Sequence, residues 1–219
     1  MLKKTTSAQD RKLSLDRDCG YGYVENMKHP LHGVDIGDEY PEIVNCVIEI
    51  PKGSQAKYEI DKDSGLIKLD RVLFSSVHYP AAYGYIPRTY CDDQDPLDIL
   101  VLCSVDVVPL TLMKARVLGV MEMLDQGEED DKIIAVACGD VSYRDVKTLD
   151  DLPPYTMAAI KRFFEDYKKL EGKQVSVSEF EGKEHALTIV KQAVADYKEK
   201  FPQNPISNAQ SKQTSAKKE

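Results

Sequence analysis

The chain of 219 residues has no tryptophan, four histidines and five cysteines with no CxxC pair among them. It also lacks any apolar run approaching the ~20 residues a membrane span requires, so no membrane-spanning helix is expected at a mean hydropathy of −0.41. The cysteines (Cys19, Cys46, Cys91, Cys103, Cys138) are odd in number, and Cys46, Cys103 and Cys138 sit inside apolar runs. A free thiol behaves there as a small hydrophobe. Neither a disulfide framework nor a zinc site is expected, and the reading is of a reduced, cytoplasmic protein. His29, His32, His78 and His185 are scattered and are expected on the surface or in loops. Basic charge is in deficit: 29 Lys+Arg against 37 Asp+Glu leave a formal net charge of −8. A nucleic-acid partner, which needs a basic surface, is therefore not expected. The first eighteen residues have no apolar h-region and carry Asp10, Asp16 and Asp18, a poor signal or transit peptide. There is no GxxxxGK[ST] loop, which excludes a nucleoside triphosphatase of that class, and no Ser-His-Asp elbow. Any anion must be met by metal ions or by a local cationic pocket.

What is present is ordinary globular composition, 42% hydrophobic and 30% charged, on a length that suits one domain with extensions. Residues 1–42 mix Gly, Pro, Tyr and charge without periodicity and read as an extension laid over a core at 43–200. Residues 201–219 are polar and read as a disordered tail. The core begins as β structure. CVIEI (46–50) is a strand ended by Pro51-Lys52-Gly53. KYEID (57–61) and LIKLD (66–70) flank a turn with Gly65 and form a hairpin. ILVLC (99–103) is the short apolar run of a strand buried on both faces. LMKARVLGVMEML (112–124) and KIIAVAC (132–138) continue the pattern, which suggests a closed or nearly closed barrel. Two helices follow. One, capped by Asp150 or Asp151, starts near Pro153-Pro154 and runs to Leu170 with Met157, Ile160, Phe163, Phe164, Tyr167 and Leu170 on its apolar face. The other, at 183–199, aligns Ala186, Ile189, Val190, Ala193, Val194 and Tyr197. Strands first and helices last make an α+β fold.

Charge clusters carry the chemistry. Asp93, Asp95 and Asp98 fall within DQDPLD, where like charges repel unless a cation joins them. In an extended segment Asp93 and Asp95 share a face, and Pro96 bends the chain so that Asp98 can join them. Hard oxygen donors at this density suit Mg²⁺ or Mn²⁺. A solvated acidic loop is the plain alternative, weakened by the buried strand that follows at once. In DQGEEDDK (125–132), Gly127 permits a tight turn that brings Asp125 and Asp130 together, and Lys132 is expected to point from the edge of its strand. Such turns are most often merely solvated. Glu49, Lys57, Glu59 and Arg71 are charges within strands, either external ion pairs or one wall of a charged site. Tyr79 and Tyr83 suit core packing or hydrogen bonds to phosphate oxygens. Tyr167 and Lys168 stand at a helix end, where surface placement is the default. Together, clustered carboxylates with Lys57, Arg71, Lys132, Lys168, Tyr83 and Tyr167 describe a site for several divalent cations and a compact, highly charged anion.

At these residues the chain resembles the family I soluble inorganic pyrophosphatases, most closely the plant-type branch, over about 45–172. Asp93, Asp95-Pro96 and Asp98 match the signature D-x-D-P-x-D. EIPKGS…KYE, YP…YGYIP, DQGEEDDK and FFEDYKKL match as well. The resemblance implies an OB-like five-stranded β-barrel with flanking C-terminal helices, the catalytic domain spanning 43–200. It implies Mg²⁺-dependent hydrolysis of pyrophosphate to two orthophosphates, with Mn²⁺ able to substitute, by direct attack of a metal-activated hydroxide. It assigns Asp93, Asp98, Asp125, Asp130, Glu59 and Glu49 to metal ions. Lys57, Arg71, Tyr83, Lys132, Tyr167 and Lys168 fall to the substrate, Asp95 to the general base and Tyr79 to proton donation. A homo-oligomer, trimer or hexamer, is implied too. Two rivals remain: a metal-loaded binding module without catalysis, and a hydrolase of nucleotides or polyphosphate.

Overall fold

A computed structural model gives the architecture over residues 29–204. The readings of the leader, of Cys19, of most of the extension and of the tail from residue 205 fall outside the described residues. Nine strands are present among the described residues: β1 (Ile43–Ile50), β2 (Ala56–Ile60), β3 (Ile67–Val72), β4 (Ala82–Tyr85), β5 (Asp98–Leu102), β6 (Leu112–Asp125), β7 (Glu128–Glu129), β8 (Lys132–Ala137) and β9 (Val175–Gly182). Three α-helices join them: α1 (Pro30–Gly33), α2 (Pro154–Asp166) and α3 (Lys183–Lys200). Pairing runs β1–β4–β5–β8–β6, and β6 returns to β1, which closes a five-stranded ring. β5 and β8 run parallel, whereas the other ring pairs are antiparallel. β2 and β3 form a separate hairpin. The α+β barrel expected from the sequence is the fold observed.

The missing alternation in ILVLC has a direct cause. Ile99 and Val101 face an apolar layer closed by Ala186, Leu187, Val190, Ala193 and Val194 of α3. Leu100 and Leu102 face a second layer closed by Ile160, Phe163 and Phe164 of α2. Each such side chain taken from water contributes about 1.5–3 kcal/mol, so both faces of the ring demand a helix. The ring is tight where β4 crosses β1. A Cβ on Gly84 would lie 1.9 Å from the carbonyl oxygen of Val47. Gly84→Ala is therefore expected to destabilise the fold by about 3 kcal/mol or more, since backbone rather than a side chain must yield. Urea unfolding checks this; a loss below about 1 kcal/mol would show that the ring can open there at little cost.

Several local expectations need correction. The chain does not end its strands before its helices, because β9 lies between α2 and α3 and pairs with β6. β4 and β9 were not anticipated. The first carries only AYGY, and the second, VSVSEFEG, is interrupted by an irregularity opposite Met121–Met123. Neither Asp150 nor Asp151 caps α2, whose N-cap is Pro153. Asp151 instead accepts the backbone N–H groups of Lys147 and Thr148, both at 2.9 Å. α2 stops at Asp166, and a 3-10 turn over Lys169–Glu171 ends at Gly172 with φ 72°. That turn leaves Leu170 68% exposed, outside the apolar face. Two histidines are half-buried rather than free in loops. His29 meets the Asp61 carbonyl at 3.2 Å, and His32 Nδ1 meets the Tyr197 hydroxyl at 2.7 Å. Phe201 packs against His32, Tyr90 and Tyr197, so packing continues one residue into the stretch read as tail. Cys46, Cys91, Cys103 and Cys138 are all free. No helix of the described residues is long and apolar enough to cross a membrane.

Candidate active site

The sequence clusters meet at one cavity of about 500 Å³. β1 brings Glu49, the β2–β3 hairpin brings Lys57 and Glu59, and β4 brings Tyr83. The turn before β5 brings Asp93 and Asp95, β5 opens with Asp98, and the β6–β8 segment supplies Asp125 and Asp130. Tyr167 and Lys168 arrive from the end of α2. Local chemistry sets each position. Gln126 and Gly127, with φ of 54° and 93°, make the two-residue turn between β6 and β7 that turns Asp125 back toward Asp130. The DQDPLD segment is not extended as expected. Asp93 accepts the Asp95 backbone N–H at 3.0 Å, Gln94 takes φ 68°, and the closed turn still presents both carboxylates to the cavity. An aromatic cluster packs against Tyr83 from outside the cavity lining: Tyr79 lies 5.4 Å from Tyr83 and 4.7 Å from Phe163, ring to ring.

Cations sit between the carboxylates. Lys132 Nζ donates to Asp98 at 2.5 Å and also to Asp130, while Tyr83 donates its hydroxyl to Asp98. Lys168 pairs with Asp125, Lys57 with Glu59, and Lys62 with Asp95. Burial raises Asp98 above the usual carboxylate range against the pull of Lys132. Burial works against the charged form of Lys132, but Asp98 and Asp130 outweigh it and hold the ammonium charged. Burial also pushes Glu49 up to about 8, although the Ile60 N–H donates to its carboxylate at 2.6 Å. Burial lifts Tyr79 and Tyr83 well above ordinary phenols, so both keep their protons.

The donor set suits divalent metal ions. Carboxylates from Glu49, Glu59, Asp93, Asp95, Asp98, Asp125 and Asp130 supply hard oxygens, and Asp125 Oδ1 is buried without a hydrogen bond, an uncompensated acceptor of the kind a cation satisfies. Among the described residues no three acidic side chains converge as a ready-made cage. Lysine ammoniums lie between them and supply the positive charge.

All the residues read from the sequence as site residues line this cavity except Arg71, Tyr79 and Lys132. Arg71 is the cross-strand partner of Lys57 and is linked to it through Asp70. Tyr79 is enclosed behind Tyr83. Lys132 does not point from a strand edge: β8 is flanked by β5 and β6, and Lys132 is 1% exposed, with Asp98 as its register partner on β5. Its two ion pairs are what make that burial tolerable. The sequence reading missed Asp70, Glu171 and Lys62, which hold Arg71, Lys57 and Asp95. Spacing gives no signal for them, since their partners are remote or the pairs look like surface charge.

Comparison with known proteins agrees with this geometry. Residues 46–198 match the family model described as inorganic pyrophosphatase. The chain is 50% identical over 186 residues to soluble inorganic pyrophosphatase 2 of Chlamydomonas reinhardtii, covering 85% of this chain and 97% of that protein. It is 56% identical over 152 residues to soluble inorganic pyrophosphatase 4 of Arabidopsis thaliana, covering 69% and 70%. The crystal structure of inorganic pyrophosphatase from Thermus thermophilus superposes with a TM-score of 0.75 at 41% identity, over 77% of this chain and 99% of that one. With ring, cavity and sequence in agreement, the chain belongs to the family I soluble inorganic pyrophosphatases, in their plant-type branch.

Proposed function

We propose that this enzyme, which hydrolyses inorganic pyrophosphate to two orthophosphates, does so by direct attack of water on phosphorus within the cavity, without a phosphoenzyme. One observation carries the reading: carboxylates able to hold several cations and side chains able to grip phosphate share a single small cavity. Mg²⁺, with Mn²⁺ able to substitute, held by Asp93, Asp98, Asp125, Asp130, Glu49 and Glu59, supplies when bound the positive charge and the acidity that water needs. Asp95, half-exposed at the rim, accepts the proton of the attacking water. Lys57, Arg71 and Lys168 neutralise charge on the phosphates, and the hydroxyls of Tyr83 and Tyr167 donate to phosphate oxygens. Lys132, enclosed by Asp98 and Asp130, fits holding those carboxylates in place better than gripping substrate. Burial keeps the proton on Tyr79, beside Arg71, Asp98 and Glu49, which suits a hydrogen-bond donor rather than a base. The same reading makes the enzyme cytoplasmic, in keeping with its free cysteines, and a homo-oligomer. Val105, Val108 and Leu110, exposed between β5 and β6, and Leu112 at the start of β6 offer apolar surface to a second copy.

Phosphate release from pyrophosphate, ATP and tripolyphosphate in Mg²⁺ tests the reading. Pyrophosphate should be cleaved far faster than ATP, because the cavity is lined mainly by carboxylates, lysines and tyrosine hydroxyls, which suit a compact, highly charged anion. Excess EDTA should abolish the activity. Equal rates on ATP, or full activity in EDTA, would sink it, and cation binding without phosphate release would favour a binding module.

A further inference from the structure

Arg71 is held in an unusual way. Its Nε donates to Glu171 Oε1 at 2.8 Å and its Nη1 to Asp70 Oδ2 at 2.6 Å. Its remaining nitrogen, Nη2, is buried and makes no hydrogen bond. The Glu171 side chain is 7% exposed. It lies in the 3-10 turn that follows Tyr167 and Lys168, whereas Arg71 lies on the hairpin with Lys57. By charge alone, a carboxylate beside a cation meant for phosphate weakens anion binding, and burying it costs desolvation. Geometry accounts for its presence. A guanidinium is a rigid planar fork; with Nε and Nη1 engaged it cannot rotate, and Nη2 keeps one direction.

We infer that Glu171 is a positioning residue that locks the Arg71 guanidinium beside the cavity lining, with the buried Nη2 left unpartnered for a pyrophosphate oxygen to engage. This rests on the reading of Arg71 as a substrate cation. The same bond ties the hairpin carrying Lys57 and Arg71 to the turn that follows Tyr167 and Lys168, and so joins two sides of the cavity.

Steady-state kinetics of the Mg²⁺-loaded enzyme on pyrophosphate test it. Loss of a charged hydrogen bond that acts alike on bound substrate and transition state should raise KM about tenfold in Glu171→Ala and leave kcat within about twofold. Glu171→Asp keeps the charge but withdraws the acceptor by one methylene, and should show the same rise. Glu171→Gln keeps an acceptor for Nε–H and should return KM to within about threefold of the parent. In an Arg71→Lys background, which has no Nε–H, Glu171→Ala should add no further change. A KM that falls in Glu171→Ala would make the residue a repelling charge and overturn the inference. An unchanged KM with a lowered Tm would reduce it to packing and overturn it equally. Should Glu171→Ala fail to fold, the Asp and Gln variants decide. The substrate role of Arg71 itself fails if Arg71→Lys leaves kcat/KM unchanged, an outcome distinct from a silent Glu171 beside a damaging Arg71→Lys.

Discussion

Asp95→Asn is expected to lose about 10²–10⁴-fold of kcat near neutral pH, the usual contribution of a positioned general base, and to recover part of it as pH rises. The substitution is a clean one structurally. What anchors Asp95 in its turn is backbone: its N–H donates to Asp93 at 3.0 Å and its carbonyl accepts the Cys91 N–H at 2.9 Å. Its side chain is 52% exposed and pairs with Lys62 at the rim, apart from the group of Lys132, Asp98 and Asp130. Removing its charge thus leaves the neighbouring carboxylates in place. Without an acceptor for the proton, the reaction depends on hydroxide, whose supply grows with pH. Asp98→Asn should behave differently, because Asp98 receives both Lys132 and Tyr83 and is proposed as a metal ligand. Its defect should respond to higher Mg²⁺ or to Mn²⁺. Should the Asp95→Asn pH–rate profile superimpose on the parent after scaling, with added metal repairing the loss, Asp95 is one more ligand. The base is then to be sought at Glu49, since Tyr79 keeps its proton.

Lys132→Met should be the most damaging change to stability, about 3–5 kcal/mol in EDTA, the cost of breaking a buried ion pair from one side. The ammonium is the cation that Asp98 and Asp130 share, on a strand hydrogen-bonded on both flanks, and the side chain is 2% exposed. Methionine fills the volume but leaves two carboxylates facing one another. A divalent cation restores the missing charge, so Mg²⁺ should recover a substantial part of the loss. Urea unfolding with and without Mg²⁺ measures both terms. A loss below about 1 kcal/mol in EDTA would mean the trio is solvated as a surface pair is.

How much could be read without coordinates depended on whether the responsible interactions were local. The β2–β3 hairpin was legible because Gly65 and the flanking alternation lie within a dozen residues. The two-residue turn between Asp125 and Asp130 was legible because Gly127 is its signature. ILVLC disclosed a strand covered on both faces by its composition alone. β4 was hidden because AYGY is too short to show a period, and the end of α2 because its helical spacing continues past Asp166 while the backbone does not. Lys132 was misjudged for an instructive reason. A lysine at a strand's first residue reads as an edge charge unless one knows that Asp98 on β5 is its register partner. Glu171 was invisible because its partner stands a hundred residues earlier in the chain.

The ring also dictates an order of events during synthesis. β1 needs β6 as well as β4, and β5 and β6 both need β8, so early strands leave the ribosome with hydrogen-bonding edges still open. Such non-local pairing folds slowly and exposes strand edges meanwhile. Lys168 is the last residue to line the cavity, yet the layer over Ile99, Val101, Ile133 and Ala135 stays bare until α3 arrives. The nascent chain therefore holds every cavity-lining side chain before it has a closed core, and its interval of greatest risk from aggregation falls after the site is already encoded.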